Sequence, residues 1–367
     1  MNLKSLLMSS DEKTVRILRR VLSDLDIGIE HCPASDEVIR RITRQRFEAI
    51  IVDCAEAERA CEVLRAAKTA PVNKRALSIA LVDAPVGLKG GFDMGAHFVL
   101  HKPLAVERAK ASFRAVRALM KRERRLQLRI PVQVPVECIG AARYQAGTLD
   151  ICEGGMAIQF KGKVAREQSL RFILTLPGMD SKLELWGEMA WEGNGDQAGV
   201  RFKSVSEEQR MLLRKWLNAQ LPEAEPDDPP VSCRLTDLSL GACYLTTSTP
   251  FPKSARVLIA ARTAALEVRL SGVVRIAHPE FGMGVEFTQT RSEQRDQIRH
   301  MIEALRAGGG SPDVQVEPEG LESASLEEPL DPSLDSEDAL VGLFRQQSQL
   351  PVEAFVQQMH QHRQLQD

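Results

Sequence analysis

Between residues 3 and 119 short apolar runs alternate with stretches whose apolar positions recur at helical spacing. Leu6-Leu7-Met8 reads as a strand, and Ala49-Ile50-Ile51-Val52 is apolar throughout, as strands buried on both faces are. Ala76–Val82 and Phe98-Val99-Leu100 are further strand candidates. From Thr14 to Leu25 the apolar residues Val15, Leu18, Leu22 and Leu25 fall on one helical face. A long helix is expected from about Ala105 to Arg125. Alternating β and α elements imply an α/β doubly wound parallel sheet.

The pattern changes near Leu128. Val132–Cys138, Gly155–Phe160, Leu170–Leu176, Lys182–Trp191 and Ala198–Phe202 are short strands separated by Gly, Asn, Asp and Pro, as in a small antiparallel β-barrel. A helix follows from Ser206 to Leu221, then the Pro- and acid-rich joint Pro222–Pro230. Strands then recur over 231–289, with a helix from Ser292 to Arg306. Thr148-Leu149-Asp150-Ile151-Cys152 matches Leu235-Thr236-Asp237-Leu238-Ser239. Ala198-Gly199-Val200-Arg201-Phe202 likewise matches Met283-Gly284-Val285-Glu286-Phe287, so two copies of one barrel is the economical reading. Residues 307–340 are rich in Gly, Pro, Ser and acids and contain no Lys or Arg, a composition that predicts disorder. Leu340, Leu343 and Phe344, then Val352, Phe355 and Met359, suit one or two short amphipathic helices, either for a partner or as a marginal tail. The expected organisation is an α/β domain over 1–120, a barrel with its helix over 121–222, a linker over 223–230, a second barrel over 231–306 and an acidic disordered tail over 307–367.

Charge and composition narrow the function. Over 367 residues the net charge is −2, so no global basic field draws nucleic acid or anionic lipid. Aromatics make up 5%, too few for a single-strand stacking platform. No run approaches about 18 apolar residues, and Leu6-Leu7-Met8 is too short for a signal peptide. Cysteines at 32, 54, 61, 138, 152, 233 and 243 form no C-x-x-C pair, which points to a cytoplasmic protein with neither a disulfide framework nor a zinc site. No Ser-His-Asp set, metal cluster or phosphate loop is evident, so a binding protein is expected rather than an enzyme.

Candidate chemistry gathers around the first barrel. Arg124, Arg125 and Arg129 stand just before its first strand, and Asp150-Ile151-Cys152-Glu153-Gly154-Gly155 lies further on. An arginine fork grips a guanine edge or a phosphate through two parallel hydrogen bonds. A carboxylate accepts from guanine N1–H and N2–H₂, and a glycine allows close backbone approach. Alternatively, Arg122, Arg124 and Arg125 are the solvated basic end of the long helix, favoured by its dipole, and Asp150 and Gly155 only make a turn.

These residues resemble the PilZ family of cyclic di-GMP receptors, which have an RxxxR arm and a [D/N]xSxxG strand motif. Gly187–Trp191 and Gly199–Phe202 resemble that family's closing strands, and the resemblance covers about residues 122–220. It implies cyclic di-GMP as ligand, with Arg124, Arg125, Arg129, Asp150, Cys152 and Gly155 as binding residues. Cys152 replaces the family's Ser; a thiol donates weakly, which costs about 1 kcal/mol and weakens rather than abolishes binding. The second barrel resembles a degenerate copy. It keeps Asp237 and Ser239 but has Ala242 for the last Gly, and the acidic Asp227-Asp228 upstream would repel phosphates; packing or dimerisation suits it better.

The N-terminal domain resembles a response-regulator receiver, through Asp53 after one apolar strand and Lys102-Pro103 after another. Asp53 with Lys102 is then a possible phosphoacceptor pair. Ser9-Ser10-Asp11 leaves one acid where receivers use two to bind Mg²⁺, and Asp83 stands at the switch hydroxyl's position, so a pseudo-receiver is expected. Together these readings give a cyclic di-GMP receptor that couples nucleotide binding to rearrangement against the pseudo-receiver and to protein partners, with no nucleic acid and no stable membrane insertion. The alternative is a nucleotide-independent scaffold for motility, adhesion or secretion. A DNA-binding response regulator needs a basic recognition helix, whereas the chain turns to strands after Pro131.

Overall fold

The computed structural model describes residues 3–83, 86–160, 169–193, 196–203, 205–220, 228–263, 266–279, 281–288, 292–306, 311–322, 338–346 and 355. The chain folds as two compact units, one of residues 124–226 and one of residues 2–123 with 227–367.

The second of these units begins with β1 (Leu3–Met8), α1 (Glu12–Ser23), β2 (Ile27–His31), α2 (Ser35–Arg44) and β3 (Ala49–Asp53). It continues with α3 (Ala57–Thr69), β4 (Leu77–Val82), α4 (Gly87–Asp93), β5 (Phe98–His101) and α5 (Val106–Gln127). Its sheet is parallel in the order β2-β1-β3-β4-β5, the doubly wound order of receiver domains. Every residue of β3 and β4 is buried, as the apolar runs require. Asp11 caps α1, accepting from Lys13 N at 3.0 Å and from the Thr14 hydroxyl at 2.6 Å.

The unit of residues 124–226 is a barrel. After β6 (Ile130–Pro131) come β7 (Pro135–Ile139), β8 (Arg143–Cys152), β9 (Gly155–Phe160), β10 (Leu170–Leu174), β11 (Leu183–Glu192), β12 (Gln197–Phe202) and α6 (Glu207–Gln220). The strands run β6-β8-β7-β10-β11-β12-β9, and β9 pairs back to β8 to close a six-strand ring. Val136, Ile158, Phe172, Leu185 and Val200 fill it, with Leu213, Trp216 and Leu217 of α6 packed on. The first long strand starts at Pro135, not Val132; Val132 N instead bonds the Leu149 carbonyl at 3.2 Å. The Arg143–Gly147 half of β8, absent from the sequence reading, forms the hairpin with β7.

The second barrel comprises β13 (Val231–Leu238), β14 (Ala242–Thr246), β15 (Ala255–Arg262), β16 (Glu267–His278), β17 (Gly282–Phe287), α7 (Ser292–Arg306) and β18 (Asp313–Leu321). It closes in the order β13-β14-β17-β16-β15-β18. The expectation of disorder fails at Asp313–Leu321, and so does a barrel ending at 306; residues 307–310 and 323–337 lie outside the described residues. β18 lies antiparallel between β13 and β15, the place that β7 holds between β8 and β10 in the first barrel. The sixth strand thus enters from the C-terminal side, making the second barrel a circular permutation of the first. Asp313 and Glu317 point outward with Gln315 while Val314 and Val316 are buried; Glu319, beyond them, is buried as well. A further helix, α8 (Ala339–Gln346), also packs on this barrel. Val352 and Met359, proposed with Phe355 as a second helix, lie outside the described residues.

The second barrel is joined to α5. Asp228 accepts from Lys121 Nζ at 2.8 Å and from Arg117, and the buried Glu123 accepts from Leu321 N and, at 3.2 Å, from Arg75. Asp228 was expected to repel a ligand, yet its charge is spent on these cations. One apolar cluster contains Phe113 and Leu119 of α5 together with Val257 and Val316 of the barrel. Burial pushes the Glu123 carboxyl up, against the pull of Arg75 and the Leu321 amide.

Candidate functional site

Strand pairing sets out the outer face of the first barrel row by row. Ala146, Met156, Ile158, Ala198, Val200 and Phe202 point into the core, so their neighbours Ala157, Gly199 and Arg201 take the outer side. One row runs Asp150–Ala157–Gly199–Trp191 across β8, β9, β12 and β11. The next runs Cys152–Gly155–Arg201–Glu188.

Arg124 and Arg125 occupy the last turn of α5, and Arg129 follows just beyond it. Short β6 pairs Pro131 with Asp150 and Ile130 with Ile151, which brings the arm to the motif. Arg129 Nη1 donates to Asp150 Oδ1 at 2.5 Å, and Ala157 N donates to the same oxygen at 3.3 Å. Two of the expected binding groups are thus brought together and paired with each other. Cys152 is only 4% exposed and burial raises its thiol pKa, so it is a neutral group beneath the surface. A Cβ on Gly155 would strike the Val200 carbonyl, so this glycine is explained by the close approach of β12. Next to it, Glu153 accepts from Arg214 of α6, which ties the turn to the helix.

Sequence reasoning missed three side chains of this face. The Trp191 indole lies over Gly199, where a Cβ would collide with its Nε1, yet the residue is 47% exposed. Arg201 stands in the adjoining row, 3.7 Å from Glu188, which also pairs with Lys203 at 3.1 Å. Ala157 keeps the middle of the row down to a methyl. The alternation of β12 was a signal for Arg201; the partner rows that give it meaning come from pairing between distant strands.

The corresponding rows of the second barrel are Asp237–Tyr244–Gly284–Ile276 and Ser239–Ala242–Glu286–Val273, the first pair of the latter through a turn. Tyr244 replaces Ala157, Ile276 replaces Trp191, and Glu286 replaces Arg201. Glu286 accepts from Arg275 Nε at 2.6 Å. The cation of the first face has become a carboxylate.

In the receiver-like domain, Lys102 Nζ donates to Asp53 Oδ1 at 2.7 Å and lies 3.0 Å from Asp83 Oδ2. Ser9 Oγ donates to Asp53 Oδ2 at 2.7 Å. Burial opposes the Lys102 charge, but its hydrogen bonds to the two carboxylates outweigh that and raise its pKa. Asp11, the remaining acid, is spent on capping α1. Among the described residues no group of His, Cys, Asp and Glu is arranged to hold a metal, all seven cysteines are free, and no helix is long and apolar enough to cross a membrane.

Residues 123–219 and 221–304 each match the PilZ domain model. Among solved structures, the receiver domain of sensor histidine kinase PA1611 from Pseudomonas aeruginosa is 18% identical, covers 33% of this chain and 98% of its own, and has a TM-score of 0.29. A response regulator from Chloroflexus aurantiacus is 17% identical over 32% of this chain and 99% of its own, with a TM-score of 0.30. The PilZ domain of CeSA from a cellulose-synthesizing bacterium is 21% identical over 26% of this chain and 98% of its own, with a TM-score of 0.22. No curated protein matches. The strand order of the N-terminal sheet, the two closed barrels and the paired family match together make this chain a receiver-like domain followed by two PilZ-family domains, the second degenerate.

Proposed function

We propose that the first barrel is a cyclic di-GMP receptor and that the chain is a signalling protein that binds and relays rather than catalyses. The observation that carries this reading is the Arg129–Asp150 pair, set beside the small Ala157 and the exposed Trp191 with Arg201 in the next row. A dinucleotide with two guanines and two phosphates offers partners to each group. Arg125 and Arg129 take a guanine edge or a phosphate through parallel forks, and Arg124 adds positive charge. Asp150, once released from Arg129, accepts from a guanine edge. The open face of Trp191 suits base stacking, and Arg201 adds a second cationic wall. Cys152 and Gly155 shape the turn from below.

The receiver-like domain enters through α5, which runs unbroken from Val106 to Gln127 and so carries Arg124 and Arg125 in its last turn. Closing the arm over a ligand would unwind that turn, and the ligand selects the arrangement it binds better. Asp53 and Lys102 are the possible phosphoacceptor pair, but Asp83 already holds the lysine where a switch hydroxyl would be needed; a pseudo-receiver fits best. The protein would work in the cytoplasm with protein partners.

Calorimetric titration with cyclic di-GMP tests the site. Arg125→Ala and Arg129→Ala should each weaken binding by about 1–3 kcal/mol, roughly five- to 150-fold. Unchanged heats would refute the assignment. Small-angle scattering at saturation tests the relay, which fails if the profile does not move. The buried Cys152 and the degenerate second barrel favour one rival, a nucleotide-independent scaffold, which absent heat in the wild-type protein would select.

A further inference from the structure

The outer face of the second barrel already has an occupant. Asp338 caps α8 with one carboxylate oxygen, accepting from Leu340 N at 3.1 Å and Val341 N at 3.2 Å. Its other oxygen accepts from Gly241 N at 2.9 Å. Gly241 corresponds to Gly154 of the first barrel: the carbonyl of each accepts from the last residue of a closing strand, Phe287 or Phe202. An acid therefore sits on the turn that follows Asp237 and Ser239. Val341 covers Gly241, and Phe344 lies over Gly284, the counterpart of the glycine beneath Trp191. Phe355 is fully buried, its ring 4.8 Å from that of His278 and 5.4 Å from that of Tyr244. Ala242, Tyr244, Ile276, Leu340, Val341, Leu343, Phe344 and Phe355 form an apolar cluster of their own, separate from the barrel interior.

The glycine at 284 shows that barrel and tail are fitted to each other. A Cβ there would come within 2.6 Å of Phe344, and its three nearest atoms all belong to that ring. The ring of the tail thus takes the space that a side chain at 284 would need. Burying two phenylalanines on a sheet face, with a charge-assisted bond to a backbone amide at the helix start, is how an amphipathic helix is recognised in a groove.

We propose that the second barrel is a helix-binding module, and that its ligand is the chain's own segment 338–346 with Phe355, bound in cis. The acid on the turn and the ring on the glycine occupy the places that the proposed nucleotide face offers to phosphate and base. Only that comparison rests on the nucleotide reading; the helix-binding site stands without it. Tyr244 and Glu286 adapt the face to this ligand, since one supplies ring contact and the other removes the cation a nucleotide would need.

The test uses the full chain and contains no nucleotide, so its outcome is separate from that of the cyclic di-GMP titration. Phe344→Asp with Phe355→Asp releases the tail. A labelled peptide of residues 335–360 should then bind this variant at least about tenfold more tightly than the wild type, whose site is filled. Equal binding to both proteins, or no binding to a released variant whose barrel strands keep wild-type hydrogen-exchange protection, overturns the proposal. Gly284→Val decides the matter if the double variant loses that protection: it leaves the tail sequence intact and should speed exchange of the α8 amides at least about tenfold. Exchange of those amides unaffected by Gly284→Val overturns the proposal as well.

Discussion

The two barrels share a strand plan and a glycine at the centre of the outer face, yet one face carries an exposed tryptophan and an arginine and the other is filled by a helix of the same chain. Three positions account for the divergence: Ala157 against Tyr244, Trp191 against Ile276, and Arg201 against Glu286. A barrel wall is indifferent to these side chains because none enters the core. The face is therefore free to change ligand class while the interior keeps its packing. The sixth strand teaches the same lesson, since β18 closes the second barrel as β7 closes the first although it arrives from the other end of the chain.

The glycines break the comparison most sharply. Gly155→Ala drives a Cβ into the Val200 carbonyl, so the first barrel should lose about 3 kcal/mol or more, seen in urea unfolding. Gly284→Ala meets the Phe344 ring first and should cost under about 1 kcal/mol, because the tail gives way. Equal losses would mean that the tail is as rigid as the barrel.

Acid is the next probe. Burial lowers the His278 pKa to about 4, from an ordinary value of 6.5 that the unfolded chain retains. Its stabilising contribution is complete above pH 6.5 and is lost as pH falls from 6.5 towards 4, up to roughly 3 kcal/mol. Tyr244 Oη lies 2.9 Å from His278 Nδ1 and Phe355 covers the ring, so Phe355→Ala should flatten this dependence. Thermal melts between pH 7 and 4 check it, against His278→Gln as the reference without a titrating group.

Transplanting the second face onto the first follows. Arg201→Glu should weaken cyclic di-GMP binding by roughly 2–3 kcal/mol, and Ala157→Tyr should weaken it without altering the melt. Retained affinity in Arg201→Glu, where the wild type binds, would remove Arg201 from the site and leave the arm arginines in place. The smallest effect expected is from Cys152→Ser. Restoring a hydroxyl beneath the turn should tighten binding by about 1 kcal/mol, several-fold by calorimetry.

Local pattern alone made the doubly wound sheet, the long helix into Arg124 and Arg125, and the repeat of short strands legible. Periodicity and the spacing of Gly and Pro are properties of neighbouring residues. Arg124, Arg125, Arg129 and Asp150 were legible as candidates, because the RxxxR arm and the strand motif are short. Three things lay beyond reach. Asp313–Leu321 looks like an acidic linker until β13 and β15 offer it edges, and then Val314 and Val316 are enough to make a strand. Asp228 looks repulsive until Arg117 and Lys121 of a distant helix neutralise it. Trp191, Ala157 and Arg201 become one surface only through pairing between strands far apart in the chain. Sequence determined what each segment could be by itself, since secondary structure and short motifs rest on nearby residues. Tertiary structure decided which segments complete one another, because edges, charges and ring faces acquire partners only when distant strands meet.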